Sequence, residues 1–320
     1  MEMHQDSAHQ GKQLVLVDGS GYLFRAFYAM PALTGPDGHP TGAIYGVLNM
    51  LKRLERQYPE ASRVVVFDPK GQTQRHDWYP AYKANRGAMP EDLQSQIAPL
   101  QDAIKALGWP VCVLPGIEAD DVMGTLATRA LQEGYSHVLL CSGDKDFAQL
   151  VRPNLTIYDG MKEKTFDADG VKEKFGVWPE QIIDYLALVG DSVDNIPGVE
   201  KVGPKTAVKW LETYGDIVTL VANMGALKGK IVQNLAEAVP YLDLYKRLVT
   251  IQCDLDLDIR LSDFDTVSQD LKALANWYEK LGFKTWHKAL KQDAQPSLEK
   301  VLEVETIETA AKWCEVCRAC

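Results

Sequence analysis

The chain has 320 residues, 46% of them apolar, enough to bury a large core and to hold more than one structural unit. No run of about 18 uninterrupted apolar residues exists, and Met1 to Lys12 is polar, which argues against a membrane span or signal peptide and for a cytoplasmic protein. The net charge of −10, from 34 basic and 44 acidic residues, argues at first sight against a polyanionic partner.

Gln13 to Val17 is an apolar run ending in Asp18-Gly19-Ser20-Gly21, which predicts a buried strand and a turn. Similar runs recur at 64–67, 111–114 and 137–141, and helical periodicity covers 41–57, 90–107 and 117–133. Strands alternating with helices predict an α/β fold with a mostly parallel sheet covered on both faces. Between Asp68 and Pro90 the periodicity collapses, and Lys70, Arg75, Lys83 and Arg86 interleave with Trp78, Tyr79 and Tyr82. That mixture suits a single nucleic-acid strand, cations tracking the backbone and rings stacking on bases; the plainer alternative is a solvated loop with packed aromatics. Its prolines and glycines make it a weak helix former, expected to order when substrate arrives.

Beyond about residue 175 short helices take over, at 179–189, 204–214, 217–223, 230–238, 241–251, 267–281 and 285–291, with Leu255 to Ile259 alternating like a half-exposed strand. A linker at 292–297 opens into a short tail. Cys112, Cys141 and Cys253 lie in or after apolar runs and read as reduced thiols. Cys314, Cys317 and Cys320 form C-x-x-C-x-x-C, without a fourth ligand for a metal.

Nine carboxylates fall in separated bursts: Asp18; Asp68; Glu118, Asp120 and Asp121; Asp144 and Asp146; Asp191 and Asp194. Side chains at the carboxyl ends of neighbouring strands converge on one crevice, where so many like charges repel unless cations sit among them. Acids at one helix start complement its dipole, but that reading does not account for the whole set. Carboxylates without histidine or thiol partners favour Mg²⁺ or Mn²⁺. Two such ions about 4 Å apart suit phosphodiester hydrolysis, one activating a water and the other steadying the leaving oxygen. If the nine acids face cations, the remaining charge is about −1 (−10 + 9) and basic patches decide what binds.

Asn195 to Lys209 is the second sharp pattern. Gly198 and Gly203, five apart, permit a tight backbone hairpin that brings amides close to a phosphate, with a helix start aimed at the same place. This helix-hairpin-helix pattern grips duplex phosphates without reading sequence, and Lys201, Lys205 and Lys209 add charge. An ordinary helix–helix turn is the alternative, and Gly225 to Lys230 is a weaker phosphate candidate.

The order Val17-Asp18-Gly19-Ser20, Phe67-Asp68, Tyr82-Lys83-x-x-Arg86, Gly116 to Asp121, Gly143-Asp144-Lys145-Asp146 and Gly190 to Val199 closely resembles the 5′ nuclease domain of bacterial DNA polymerase I, a flap endonuclease, over about residues 13 to 290. The resemblance implies a PIN-like α/β core over 1–178 including an arch at 69–90, a helix-hairpin-helix subdomain over 179–291, and a truncated following domain over 292–320. It implies a first metal cluster of Asp18, Asp68, Glu118, Asp120 and Asp121 and a second of Asp144, Asp146, Asp191 and Asp194. Lys83 is then expected to polarise the scissile phosphate, Tyr82 to stack on a base, and Arg86 and Arg25 to lie at the active site. Arg75 joins Gly198, Lys201, Gly203, Lys205 and Lys209 as an expected DNA contact, and the hairpin carbonyls are expected to hold K⁺. The expected activity is removal of 5′ flaps and RNA primers, by a monomer, with no polymerase motif in this chain. A phosphatase with Asp18 as nucleophile lacks a second acid two residues on, where Ser20 stands. A non-catalytic junction binder has no use for nine acids facing phosphates.

Overall fold

The computed structural model describes residues 11–265 and 267–293; the tail, with Cys314, Cys317 and Cys320, lies outside them. Strand β1 (Gln13–Asp18) leads into helices α1 (Gly19–Ala29) and α2 (Gly42–Gln57), then β2 (Ser62–Phe67). Short helix α3 (Gln74–Trp78), α4 (Glu91–Ala106), β3 (Val111–Val113), α5 (Ala119–Gln132) and β4 (His137–Cys141) follow. Strands β5 (Leu155–Asp159) and β6 (Lys164–Phe166) and helix α6 (Ala168–Phe175) complete the α/β part. The sheet runs β3-β2-β1-β4-β5-β6, all parallel except β6.

Central strands read as continuous apolar runs because helices cover both faces. Leu14 and Leu16 of β1 pack with Val122, Met123 and Leu126 of α5, whereas Val15 and Val17 pack with Val47 and Leu51 of α2 and Leu100 and Ile104 of α4. The α5 face continues without a break into the helical part, α7 (Ile182–Val189), α8 (Pro204–Tyr214), α9 (Ile217–Ala222) and α10 (Ile231–Val249). Helices α11 (Leu271–Lys280) and α12 (Lys284–Asp293) return to the opposite face, where Tyr278 and Phe283 are buried.

Four expectations change. The turn after Asp18 is helix α1, capped by Asp18, whose carboxylate accepts from the Gly21 N–H at 2.7 Å. Its glycines answer to packing: a Cβ at Gly19 would come within 2.7 Å of the Phe67 ring. The two helices expected at 230–238 and 241–251 are the single α10, which runs through Pro240. Pro240 removes one helical hydrogen bond, and burial of Leu235, Ala238, Leu242, Tyr245 and Leu248 around it offsets that loss. Leu255 to Ile259 pairs with no strand; the Arg129 guanidinium donates to the Leu257 and Ile259 carbonyls at 3.3 and 2.6 Å, taking up groups a ladder would use. The segment 69–90 is already folded around α3.

Arg75 of α3 ties three elements together. It is 3% exposed, forms two hydrogen bonds of 2.5 and 2.8 Å to Asp121 of α5, and donates to the Leu248 and Thr250 carbonyls at the end of α10. Removing one partner of such a buried pair strands the other charge, so Arg75→Ala should lower stability by about 3–5 kcal/mol. Urea denaturation measures this; a loss below about 1 kcal/mol would contradict the tie.

Candidate metal centre and nucleic-acid interface

Parallel register brings the acids together. Val17 of β1 stands opposite Cys141 of β4, so Asp18 and Ser142 emerge side by side at the carboxyl edge. Asp68 follows β2, and its carboxylate accepts from the Ala119 N–H at 2.9 Å, at the start of α5, where Asp120 follows. Asp144 and Asp146 follow β4, and Asp191 and Asp194 come from the loop after α7. Asp146, Asp191 and Asp194 offer carboxylate oxygens that lie within 4.8 Å of one another. A cleft of about 400 Å³ opens on the group, lined by Asp18, Arg25, Arg86, Asp144, Asp191 and Asp194 among others.

The electrostatics are strained in the way that cations relieve. Burial, followed by Asp68 and Asp144 nearby, pushes Asp18 up to about 7 against the hydrogen bonds it accepts. Burial and then the charge of Asp144 push both Asp120 and Asp146 well above the usual carboxylate range. Asp144, exposed at the rim of the crevice, is raised by the protein crowded around it and then by Asp194 and Asp191. One oxygen of Asp146 is buried with no hydrogen-bond donor. An acceptor-only oxygen among like charges fits a hard cation and fits no protein donor present.

Two acids expected as metal ligands have other partners. Asp121 is taken by Arg75 and by the Gln252 N–H at 2.9 Å. Glu118 is 4% exposed and accepts from Thr73 at 2.7 Å, Lys83 at 3.0 Å and Tyr82 at 3.1 Å. Burial would raise Glu118, but Lys83 and Arg75 beside it hold it below its usual range. Of the five acids expected in the first cluster, Asp18, Asp68 and Asp120 are those free of a paired cation among the described residues.

The arch also departs from expectation. Arg75 is buried in its ion pair and faces no solvent, so it is not a DNA contact in this conformation. Tyr82, expected to stack on a base, is 3% exposed, its hydroxyl 3.1 Å from both Glu118 and Asp194, which share its one proton. Trp78 and Tyr79 pack against the core, and the Arg247 guanidinium covers the Trp78 ring at 3.8 Å. Aromatic residues in a short loop are recruited by the nearest core, which periodicity does not reveal.

Lys83 and Arg86 do reach the acid group. Lys83 adopts a left-handed backbone (φ 56°), its N–H donates to the Asp194 carbonyl at 3.0 Å and its ammonium pairs with Glu118. Arg86 pairs with Asp194, and Lys145 with Asp191 at 3.1 Å. Arg25 pairs with buried Asp159 at 2.9 Å and donates to the Gly143 carbonyl; a Cβ at Gly143 would strike its guanidinium at 1.7 Å. Lys145, Ser142 and Asp159 are site residues that sequence reasoning missed. Ser142 directly precedes the Gly143-Asp144 signal, whereas Asp159 ends β5, whose apolar residues are interrupted by Thr156 and so form no continuous run.

The hairpin lies between α7 and α8. Gly198 has φ 66°, and a Cβ there would meet the Gly190 nitrogen at 2.4 Å, so glycine is required by both conformation and contact. Gly203 caps α8, whose first residue is Pro204, and Lys201, Lys205 and Lys209 are exposed. The loop after α7 therefore carries Asp191, Asp194 and Lys201, and α8, which follows it directly, carries Lys205 and Lys209.

Residues 13–176 match the family described as 5′-3′ exonuclease, N-terminal resolvase-like domain, and 177–272 match 5′-3′ exonuclease, C-terminal SAM fold. The chain belongs to the 5′-3′ exonuclease family. It is 46% identical over 294 residues to DNA polymerase I of Pseudomonas aeruginosa, covering 88% of this chain but only 32% of that protein. It is 38% identical to a 5′-3′ exonuclease of Aquifex aeolicus, covering 90% of this chain and 99% of that one. The chain thus spans about a third of the polymerase relative and nearly all of the stand-alone one. Among solved structures, the bacteriophage T5 flap endonuclease in complex with DNA and metal ions superposes with TM-score 0.61 over 88% of this chain and 98% of its own. At 23% identity, that likeness speaks for the fold, a mostly parallel sheet with a helical SAM-like part.

Two outcomes follow for the metal-free chain. Protons on Asp18 must leave before a cation binds, so Mn²⁺ affinity should rise from pH 6 to pH 8, by roughly tenfold for one group near 7; calorimetry showing equal affinity would contradict this. Arg86 competes with a cation for Asp194, so Arg86→Ala should tighten Mn²⁺ binding about two- to fivefold, a weakening being the contrary result.

Proposed function

We propose that the chain is a structure-selective 5′-3′ exonuclease and flap endonuclease that hydrolyses DNA phosphodiesters with two divalent ions, Mg²⁺ or Mn²⁺. The observation that carries this is the donor-less buried oxygen of Asp146 beside Asp191 and Asp194, at the carboxyl edge that also holds Asp18, Asp68, Asp120 and Asp144. The names of its relatives, 5′-3′ exonuclease and DNA polymerase I, support the reading. So does the DNA in the T5 complex.

When bound, such ions activate water and stabilise charge on phosphate oxygens. Asp18, Asp68 and Asp120 would hold one ion and Asp144, Asp146, Asp191 and Asp194 the other. Arg86, paired here with Asp194, would turn to the scissile phosphate once a cation takes over that carboxylate, and Lys83, paired with Glu118, would be drawn there by the phosphate charge itself. Arg25 is oriented by Asp159 at the cleft wall, where it would hold a neighbouring phosphate. The exposed Lys201, Lys205 and Lys209 would grip the duplex through its phosphates, with K⁺ on the carbonyls between Gly198 and Gly203. The substrates would be 5′ flaps, nicks and RNA primers. We read the working unit as a cytoplasmic monomer with a nuclease core over 1–178 and a duplex-binding part over 179–291, fused in polymerase relatives to further domains. Among the described residues no helix is long and apolar enough to cross a membrane.

A labelled 5′-flap duplex in Mg²⁺ tests the reading. Wild type should release the flap, and Asp144→Asn should lose several kcal/mol of transition-state stabilisation, at least about a thousandfold in rate. DNA binding in Ca²⁺ should persist. Full cleavage by the variant sinks the assignment, and binding without cleavage by wild type leaves a junction-binding module instead.

A further inference from the structure

Ser142 is wholly buried at the end of β4. Its hydroxyl donates to one oxygen of Asp18 at 2.8 Å and accepts from the Asp144 N–H at 3.0 Å. An amide N–H only donates, so Ser142 accepts from Asp144, and toward Asp18 in its ionised, cation-binding form, which only accepts, the serine is the donor. The other oxygen of Asp18 accepts from the Gly21 N–H at 2.7 Å. Asp18 is thereby held at both oxygens, with a lone pair on each left for a further partner. The Asp144 carboxylate accepts in turn from the Asp146 N–H at 3.0 Å, so the relay runs from β1 through Ser142 to the turn that presents Asp146. Parallel register places residues 18 and 142 side by side, and a side chain of serine length spans the gap.

We propose that Ser142 is a positioning residue that sets the separation of the two acid groups, and with it the separation of the two cations they hold. It touches neither substrate nor metal; it acts by tying Asp18 to the Asp144–Asp146 turn through a single oxygen. Hydrogen bonds of this kind behind metal-binding carboxylates orient them, and their loss costs about 10- to 100-fold in affinity or activity. Alanine leaves the packing nearly unchanged but releases Asp18 from the turn, so cations still bind, more weakly and at an unfixed distance. The consequence for cleavage rests on the two-metal reading above, whereas the consequence for metal binding does not.

The experiment uses the full chain as wild type, Ser142→Ala and Ser142→Thr, titrated with Mn²⁺ alone and followed by calorimetry and by electron paramagnetic resonance. Wild type should show a spin-coupled Mn²⁺ pair. Ser142→Ala should bind Mn²⁺ about 10- to 100-fold more weakly and lose the coupled signal, while keeping its circular dichroism and binding flap DNA in Ca²⁺ as wild type does. Ser142→Thr, which keeps the hydroxyl, should restore coupling. Wild-type affinity and coupling in the alanine variant would overturn the proposal, as would a folded threonine variant no better than alanine. Should the alanine variant fail to fold, Ser142→Cys, close in shape and a weak donor, takes its place: weaker Mn²⁺ binding supports the proposal and equal binding refutes it. If wild type binds Mn²⁺ but cleaves no flap DNA, the proposed function fails while the Mn²⁺ comparison still decides the role of Ser142.

Discussion

Repulsion among crowded carboxylates at one edge of the sheet governs this structure. Asp18, Asp120, Asp144 and Asp146 all have raised affinities for protons, with burial the largest cause and neighbouring acids adding to it. Such an arrangement costs stability and persists only where something compensates it. The chain supplies part of that compensation from its own cations, Lys83 on Glu118, Arg86 on Asp194 and Lys145 on Asp191. What it leaves uncompensated is above all the donor-less oxygen of Asp146, an acceptor of the kind that suits a hard cation.

The same cations link the metal centre to the arch. Lys83 and Arg86 sit on the turn that follows α3, and the loop after α7 holds that turn through the Asp194 carbonyl, the Ser192 carbonyl and the Asn195 side chain. On the proposed two-ion reading, a cation on Asp194 would compete with Arg86 of this turn for that carboxylate. Such a competition is reciprocal: whatever draws Arg86 toward phosphate would also clear Asp194 for a cation. Arg75 lies outside this exchange, because it is fixed between α5 and α10 with Asp121.

The helical part is joined to the sheet by a shared core, not by a tether. Side chains of α5 pack on the sheet and also meet the core of α7 and α10. That rigidity matters because Asp191 and Asp194 come from the helical part, whereas the other acids come from the sheet. A centre built from two parts keeps its geometry only if the parts do not slide, and interdigitated apolar packing supplies that constraint.

Much of this was legible in the sequence, because parallel strands buried on both faces print as apolar runs and acids at their ends stand out against them. β1, β2, β4, α2, α4 and α5 follow from periodicity, as do the glycine hairpin and the convergence of Asp18, Asp68, Asp120 and Asp144. Periodicity did not show β5, β6 or α6, whose few apolar residues are interrupted by polar ones, and it misread α1, whose glycines answer to the Phe67 ring and the Asp18 carboxylate. Nor did it show which charges pair with one another. Arg75 and Asp121 are 46 positions apart, Lys83 and Glu118 35, and Ser142 and Asp18 124. The sequence by itself thus determined the chemistry of the edge, hard oxygen ligands without histidine or thiol. Only the tertiary structure decided which acids face cations of the chain and which remain for metal, because a carboxylate's role depends on the donors within about 3 Å of it, and folding sets those.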